Sequence, residues 1–157
     1  MKVNSDAAWC SKKKKFGMGS VIRDYTGKVL GSIATPIYSP VSVAVAESWA
    51  LERGALLAKQ LGYSAVILES DCLGMTKDLE SRTLHDSDLS YVFDSIYEIC
   101  NDLYMYKFSY TPRIGNQVAH NLARLAISLE NKQLWPSGIS ERIIPFVSAD
   151  IQQFSSS

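Results

Sequence analysis

The chain reads as one α/β domain in which a five-stranded mixed sheet carries helices on its faces. Two features predict this. The first stretch falls into three strand-length runs separated by a polar lysine run and a turn signal, the pattern of an antiparallel meander. From Val43 the period changes to three and four residues, and a continuous apolar run, Ala65 to Leu68, follows it. A strand reached through a helix is most simply parallel to an earlier one, with a right-handed crossover.

Lys2 to Trp9 and Phe16 to Arg23 are the first two strands, joined by the polar run Lys12-Lys13-Lys14-Lys15. Asp24-Tyr25-Thr26-Gly27 is a turn, because Gly27 tolerates a positive φ, and Lys28 to about Pro36 completes an antiparallel meander. Ala46, Ala50, Gly54, Leu57, Ala58 and Leu61 form the buried stripe of a helix, with Ser42 as N-cap and Gly62 as the stop. The small residues Ala50, Gly54 and Ala58 let that helix lie close to the sheet.

Ala65 to Ser70 is then a strand buried on both faces. Cys72 to about Leu79 is a short helix, and Ser87-Asp88 caps a longer one reaching Cys100. Tyr104 to Tyr110 is the last strand and Asn116 to Leu129 the last helix, giving the order βββαβααβα. Residues 1–130 are expected to form the domain. Residues 131–157 are expected to be a tail, partly docked through Trp135, Ile143, Ile144 and Phe146 or disordered, with a serine-rich end.

Composition narrows the function. An apolar share of 46% and a charged share of 20% belong to a globular chain and not to a disordered one. No run approaches the length of a membrane helix, and no signal peptide opens the sequence. Cys10, Cys72 and Cys100 are odd in number and irregular in spacing, which fits a reducing, intracellular setting, nuclear or cytoplasmic. Sixteen basic residues balance sixteen acidic ones, so no global field draws the chain to nucleic acid. The lysine run is either a solvated hairpin tip or a phosphate contact. A monomer is expected.

Three acids stand where a sequence built only for packing would seldom place them. Asp6 ends the first strand, Glu47 lies on the packing stripe of the first helix, and Asp71 terminates the buried strand. Each alone could cap a turn or pair with a base. If the strands bearing Asp6 and Asp71 are parallel neighbours, both acids leave the same end of the sheet and the crossover helix turns Glu47 toward them. Burying such charges demands a partner, a proton or a metal. An all-oxygen cluster suits Mg²⁺ or Mn²⁺, and two such ions, with Asp6 shared between them, suit phosphodiester hydrolysis.

Five motifs in order then carry a resemblance. Lys2-Val3-Asn4-Ser5-Asp6-Ala7-Ala8, Arg23-Asp24-x-x-Gly27, Ala46-Glu47-Ser48, Glu69-Ser70-Asp71-Cys72 and Arg113-Ile114-Gly115-Asn116 with Ala119-His120-x-Leu122-Ala123 resemble the ribonuclease H-like superfamily. The pattern is most similar to plant domains related to the ribonuclease H of retrotransposon polyproteins, over about residues 1 to 130. That resemblance implies the ribonuclease H-like fold and endonucleolytic cleavage of the RNA strand of an RNA–DNA hybrid. It implies Asp6, Glu47 and Asp71 as catalytic metal ligands, and it places His120 where the family carries a fourth acid.

His120 is then either a softer, Mn²⁺-favouring ligand or a partly exposed helix residue beside an incomplete site. The second alternative makes the chain a weak or inactive module that binds nucleic acid or a protein. The segment 80–88, with Asp86 and Asp88, lacks the basic protrusion by which some relatives grip their hybrid. Nucleic-acid contacts are therefore expected from Lys12, Lys13, Lys14, Lys15, Arg113 and Asn116, with Arg124 an exposed helix residue.

Overall fold

A computed structural model describes residues 1–85 and 87–155, with side chains through Asp150. Asp86 and the final Ser156 and Ser157 lie outside the described residues. The strands are β1 (Lys2–Cys10), β2 (Lys15–Arg23), β3 (Val29–Ile37), β4 (Ala65–Ser70), β5 (Met105–Tyr110) and β6 (Gln133–Trp135). The helices are α1 (Val43–Gln60), α2 (Leu73–Ser81), α3 (Asp88–Asn101), α4 (Gln117–Ile127) and α5 (Ile144–Ser155).

The sheet order is β5-β4-β1-β2-β3-β6. β1, β2 and β3 form the antiparallel meander, and β4 and β5 add in parallel beside β1. The mixed sheet is as predicted, except that it holds six strands and not five. The sixth is β6, which pairs antiparallel with β3 through Ser32–Trp135, Ile33–Leu134 and Ala34–Gln133. Three residues followed by a proline carry too little alternation to be read as a strand.

Local chemistry explains the breaks. Asp24 Oδ1 accepts from the backbone N–H groups of Thr26 and Lys28 and from the Thr26 hydroxyl, while Gly27 takes φ 87° to close the turn. The Ser42 hydroxyl accepts the Val45 N–H at 3.1 Å to start α1, and Gly62 at φ 87° ends it. Ser87 caps α3 through the Leu89 N–H.

The two faces of the sheet bury different cores. Val3, Ile22, Leu51, Leu68, Ile96 and Phe108 join α1 and α3 to one face. Val21, Ala34, Val118, Leu122 and Ala126 join α4 to the other. Adjacent Val21 and Ile22 thus serve opposite faces, as strand alternation requires.

Both helices come unusually close to the strands beneath them. At Gly54 a Cβ would lie 2.5 Å from Val3 Cγ1, so only glycine admits α1 there. At Gly19 it would lie 2.6 Å from the Ala119 carbonyl oxygen of α4. Of the tail residues expected to dock, Trp135 and Ile143 do so, together with Ile139 and Val147. Ile144 and Phe146 are largely exposed, because α5 turns the stripe Ile143, Val147, Asp150 inward. No helix among the described residues is long and apolar enough to cross a membrane.

Candidate metal centre

The site forms where β1 outruns its neighbour. The parallel ladder with β4 stops at the pair Ser5–Ser70, whereas β1 continues to Cys10 against β2 alone. Asp6 therefore lies mid-strand, not at a strand end as read from sequence. It and Asp71 are the first residues past the last rung of the ladder, on adjacent parallel strands. Glu47, on the second turn of α1, reaches into the gap left beside β1. One carboxylate oxygen from each of Asp6, Glu47 and Asp71 lies within 4.8 Å of the others.

Burial makes this cluster chemically tense. Asp6 is 1% exposed and Glu47 7%, and Asp71 is partly covered. Loss of solvent, then the Asp6 and Asp71 charges, push the Glu47 carboxyl up to about 9. Asp6 is raised by burial and by Asp71, against the opposing hydrogen bond of His120. The buried Glu47 Oε2 has no hydrogen-bond partner. An unpartnered buried oxygen amid mutually repelling carboxylates fits a site built for a divalent cation, which satisfies all three at once. Asp6, Glu47 and Asp71 are the residues that would hold it.

His120, on α4, places Nδ1 2.7 Å from Asp6 Oδ2. It therefore touches the acid cluster through Asp6 and not as a member of it. Arg113 puts Nε 3.6 Å from Asp71 Oδ2, but its side chain is 70% exposed, so this pair contributes little to stability. From His120 an open groove of about 710 Å³ runs past Trp9, Arg113 and Arg124 to Lys12 and Lys13.

The lysine run divides. Lys12 and Lys13 line the groove, and Lys14 holds the hairpin turn at φ 49°. Lys15 turns away, donating to the Leu129 carbonyl at 3.3 Å and lying over the Tyr38 ring.

Asn116, expected among the nucleic-acid contacts, is fully buried instead. Its amide donates to the Ser5 carbonyl at 2.9 Å, and its Oδ1 accepts from Asn4 Nδ2 at 3.2 Å. It ties the start of α4 to β1 and leaves no atom for a ligand at the surface. Behind it stand residues that pattern reading missed. Asn4 Nδ2 also donates to Glu69 Oε1 at 2.8 Å, and Asn4 Oδ1 accepts from Arg23 Nη2 at 3.3 Å. Arg23, 4% exposed, closes the chain with Nη1 2.8 Å from Asp150 Oδ2 on α5. The available signals were an arginine inside a buried strand and an acid continuing the apolar stripe of α5.

Comparison with known proteins places this geometry. The chain is similar in structure to the N-terminal RNase H domain of a Mycobacterium tuberculosis protein, at TM-score 0.74 and 20% identity, covering 81% of this chain and 92% of that one. It is equally similar to RNase H1 of Halobacterium salinarum, at 0.74 and 20%, covering 81% and 96%. The compost-derived LC11 RNase H1, solved in complex with an RNA/DNA hybrid, aligns at 0.73 and 22%, covering 81% and 96%. No curated protein sequence matches the chain. A family described as reverse transcriptase-like matches residues 4–126, spanning all three acids and His120. The chain belongs to that reverse transcriptase-like family and carries the ribonuclease H-like fold.

Proposed function

We propose that the protein is a divalent-metal-dependent endonuclease that cleaves the RNA strand of an RNA–DNA hybrid. The observation that carries this reading is the convergence of Asp6, Glu47 and Asp71 within 4.8 Å at the open flank of β1. Mg²⁺ or Mn²⁺, bound as a pair, would activate the attacking water and stabilise the departing oxygen of the phosphodiester. Asp6 has the central role, because its charge acts on Glu47 ahead of that of Asp71 and it is the acid His120 touches.

The chain's own groups prepare the site. Glu47 gives up its proton when a cation arrives, since burial and its neighbours disfavour the bare carboxylate. His120 fixes the orientation of the Asp6 carboxylate through Nδ1, leaving its other ring nitrogen available to a ligand. Through that second nitrogen the imidazole would favour Mn²⁺ over Mg²⁺ as the working ion. Lys12, Lys13, Arg113 and Arg124 offer the groove its positive charge for phosphates. The hybrid-bound LC11 RNase H1 supports the choice of substrate through its shared fold.

A second reading has one observation in its favour. The 2.7 Å contact with His120 already engages one of the two Asp6 carboxylate oxygens, which suits a weak or inactive module that only binds nucleic acid or a protein.

The deciding experiment incubates the purified protein with labelled RNA–DNA hybrid in Mn²⁺ and in Mg²⁺ at low salt, beside Asp6→Asn. Cleavage of the RNA strand that the variant abolishes supports the nuclease. Hybrid binding without cleavage by the folded parent, retained when all three acids are replaced by alanine, supports the binding module.

A further inference from the structure

We propose that α5 belongs to the working site, with Asp150 acting as a positioning residue that sets α4 and His120 against Asp6 through Arg23, Asn4 and Asn116. The proposal rests on the metal-centre reading, and it concerns a residue outside the family match, which ends at residue 126.

The argument is one of hydrogen-bond polarity. Arg23 has two guanidinium nitrogens committed, Nη1 to Asp150 and Nη2 to Asn4. A guanidinium only donates, so Asn4 must present its carbonyl oxygen to Arg23 and its NH₂ to the other side. That NH₂ meets Glu69 Oε1 and Asn116 Oδ1. Asn116 must then aim its own NH₂ at the Ser5 carbonyl, the group immediately before Asp6. Each amide has one permitted orientation, fixed from one end by the Arg23–Asp150 charges and from the middle by Glu69. A reversed Asn116 would set its oxygen against the Ser5 oxygen and push α4 away from β1.

Asn116 immediately precedes α4 and His120 lies on its first turn, and both side chains reach β1, at Ser5 and at Asp6. Asn4 and Asp6 share a face of β1 by alternation. The network and the His120–Asp6 contact are therefore two adjacent rungs between the same helix and the same strand. All five network residues, Asp150, Arg23, Asn4, Glu69 and Asn116, are at most 8% exposed, so water cannot stand in for a missing member without rearrangement.

The test uses the full chain, freed of metal. Mn²⁺ binding is measured by calorimetry, and solvent exchange of the Asn116 side-chain NH₂ by NMR, in the parent, Asp150→Asn and Val147→Ala. Val147 packs α5 onto the second core without entering the network, so its variant reports simple loosening of the helix. Asp150→Asn is expected to weaken Mn²⁺ binding about tenfold and to speed Asn116 exchange, with Val147→Ala within about twofold of the parent in both. Parent-like values in Asp150→Asn, or equal losses in Val147→Ala, would overturn the proposal.

If Asp150→Asn does not fold, the double variant Arg23→Met with Asp150→Leu replaces the ion pair by apolar groups. Weakened Mn²⁺ binding in that folded variant supports positioning, and parent-like binding overturns it. A parent that binds no Mn²⁺ sinks the metal-centre reading alone, because Asn116 exchange still decides whether Asp150 orders the start of α4.

Discussion

Asp6 sits directly across the first hairpin from Gly19, and the missing side chain at Gly19 is what lets α4 descend far enough for His120 to reach Asp6. The acid and the glycine are thus one device, with β2 supplying the clearance and β1 the charge. Gly19→Ala is expected to lift α4 and destabilise the fold by about 1–3 kcal/mol. Mn²⁺ affinity should fall with it. Urea unfolding and metal calorimetry check the two effects, and a variant unchanged in both would show that α4 has slack at this point.

The pH dependence of stability follows from Glu47. Its carboxyl is raised from 4.5 to about 9 in the folded protein, so between those values the unfolded chain has released a proton that the folded chain retains. The folded state binds more protons, and stability must therefore fall as pH rises through that window. Asp6, also raised, acts in the same direction. Thermal unfolding of metal-free protein should give a lower Tm at pH 8 than at pH 5. Mn²⁺ should flatten the slope by favouring the ionised cluster, and Glu47→Gln should flatten it without metal.

His120→Asp offers a carboxylate oxygen where the parent presents the free imidazole nitrogen beside the cluster. Cleavage in Mg²⁺ is expected to rise about tenfold relative to cleavage in Mn²⁺, because the harder ion gains more from carboxylate. Initial rates on labelled hybrid in each metal measure the ratio. An unaltered ratio would remove His120 from the ion's surroundings.

The lysine run should separate into two phenotypes. Lys12→Ala with Lys13→Ala should reduce the salt slope of hybrid binding by about 2 while leaving Tm unchanged. Lys15→Ala should do the reverse, since its ammonium closes the Leu129 carbonyl and covers Tyr38. Fluorescence titrations at several salt concentrations, paired with melting curves, distinguish them.

Asn116→Ala removes two buried hydrogen bonds and strands the Ser5 carbonyl and one Asn4 donor. A loss of about 2–4 kcal/mol in denaturant unfolding is expected, on the scale of two unsatisfied buried groups. A loss near zero would mean that water enters the gap.

These residues also mark how far pattern reaches. The first five strands, α1 and its caps were legible, because strand-length runs between turn residues, a helical stripe, Ser42 and Gly62 are local signals. Glu47 was legible as an acid on an apolar stripe, and Asp6 and Asp71 as acids beside buried strands. The partnership of Arg23 with Asp150 was not, since 127 residues separate them and a buried position marks each charge without naming its partner. Asn116 was misplaced for a related reason. An amide at a helix start looks solvated until the strand beneath it is known to offer a bare carbonyl. β6 was missed because three residues are too few to show a period.

The end of the β1–β4 ladder at Ser5–Ser70 has a consequence for the chain as it is made. During synthesis β1 and β2 can pair with each other and with β3 early, using only neighbouring residues. The flank of β1 that will hold the acids has no parallel partner until residue 70 appears, and no His120 until fifty residues later. Asp6 thus stands beside an open edge, solvated and without Asp71, until β4 arrives. The three acids are complete once residue 71 is made and His120 joins them only with α4, so a product cut between the two carries every acid without the helix that brings His120 to Asp6.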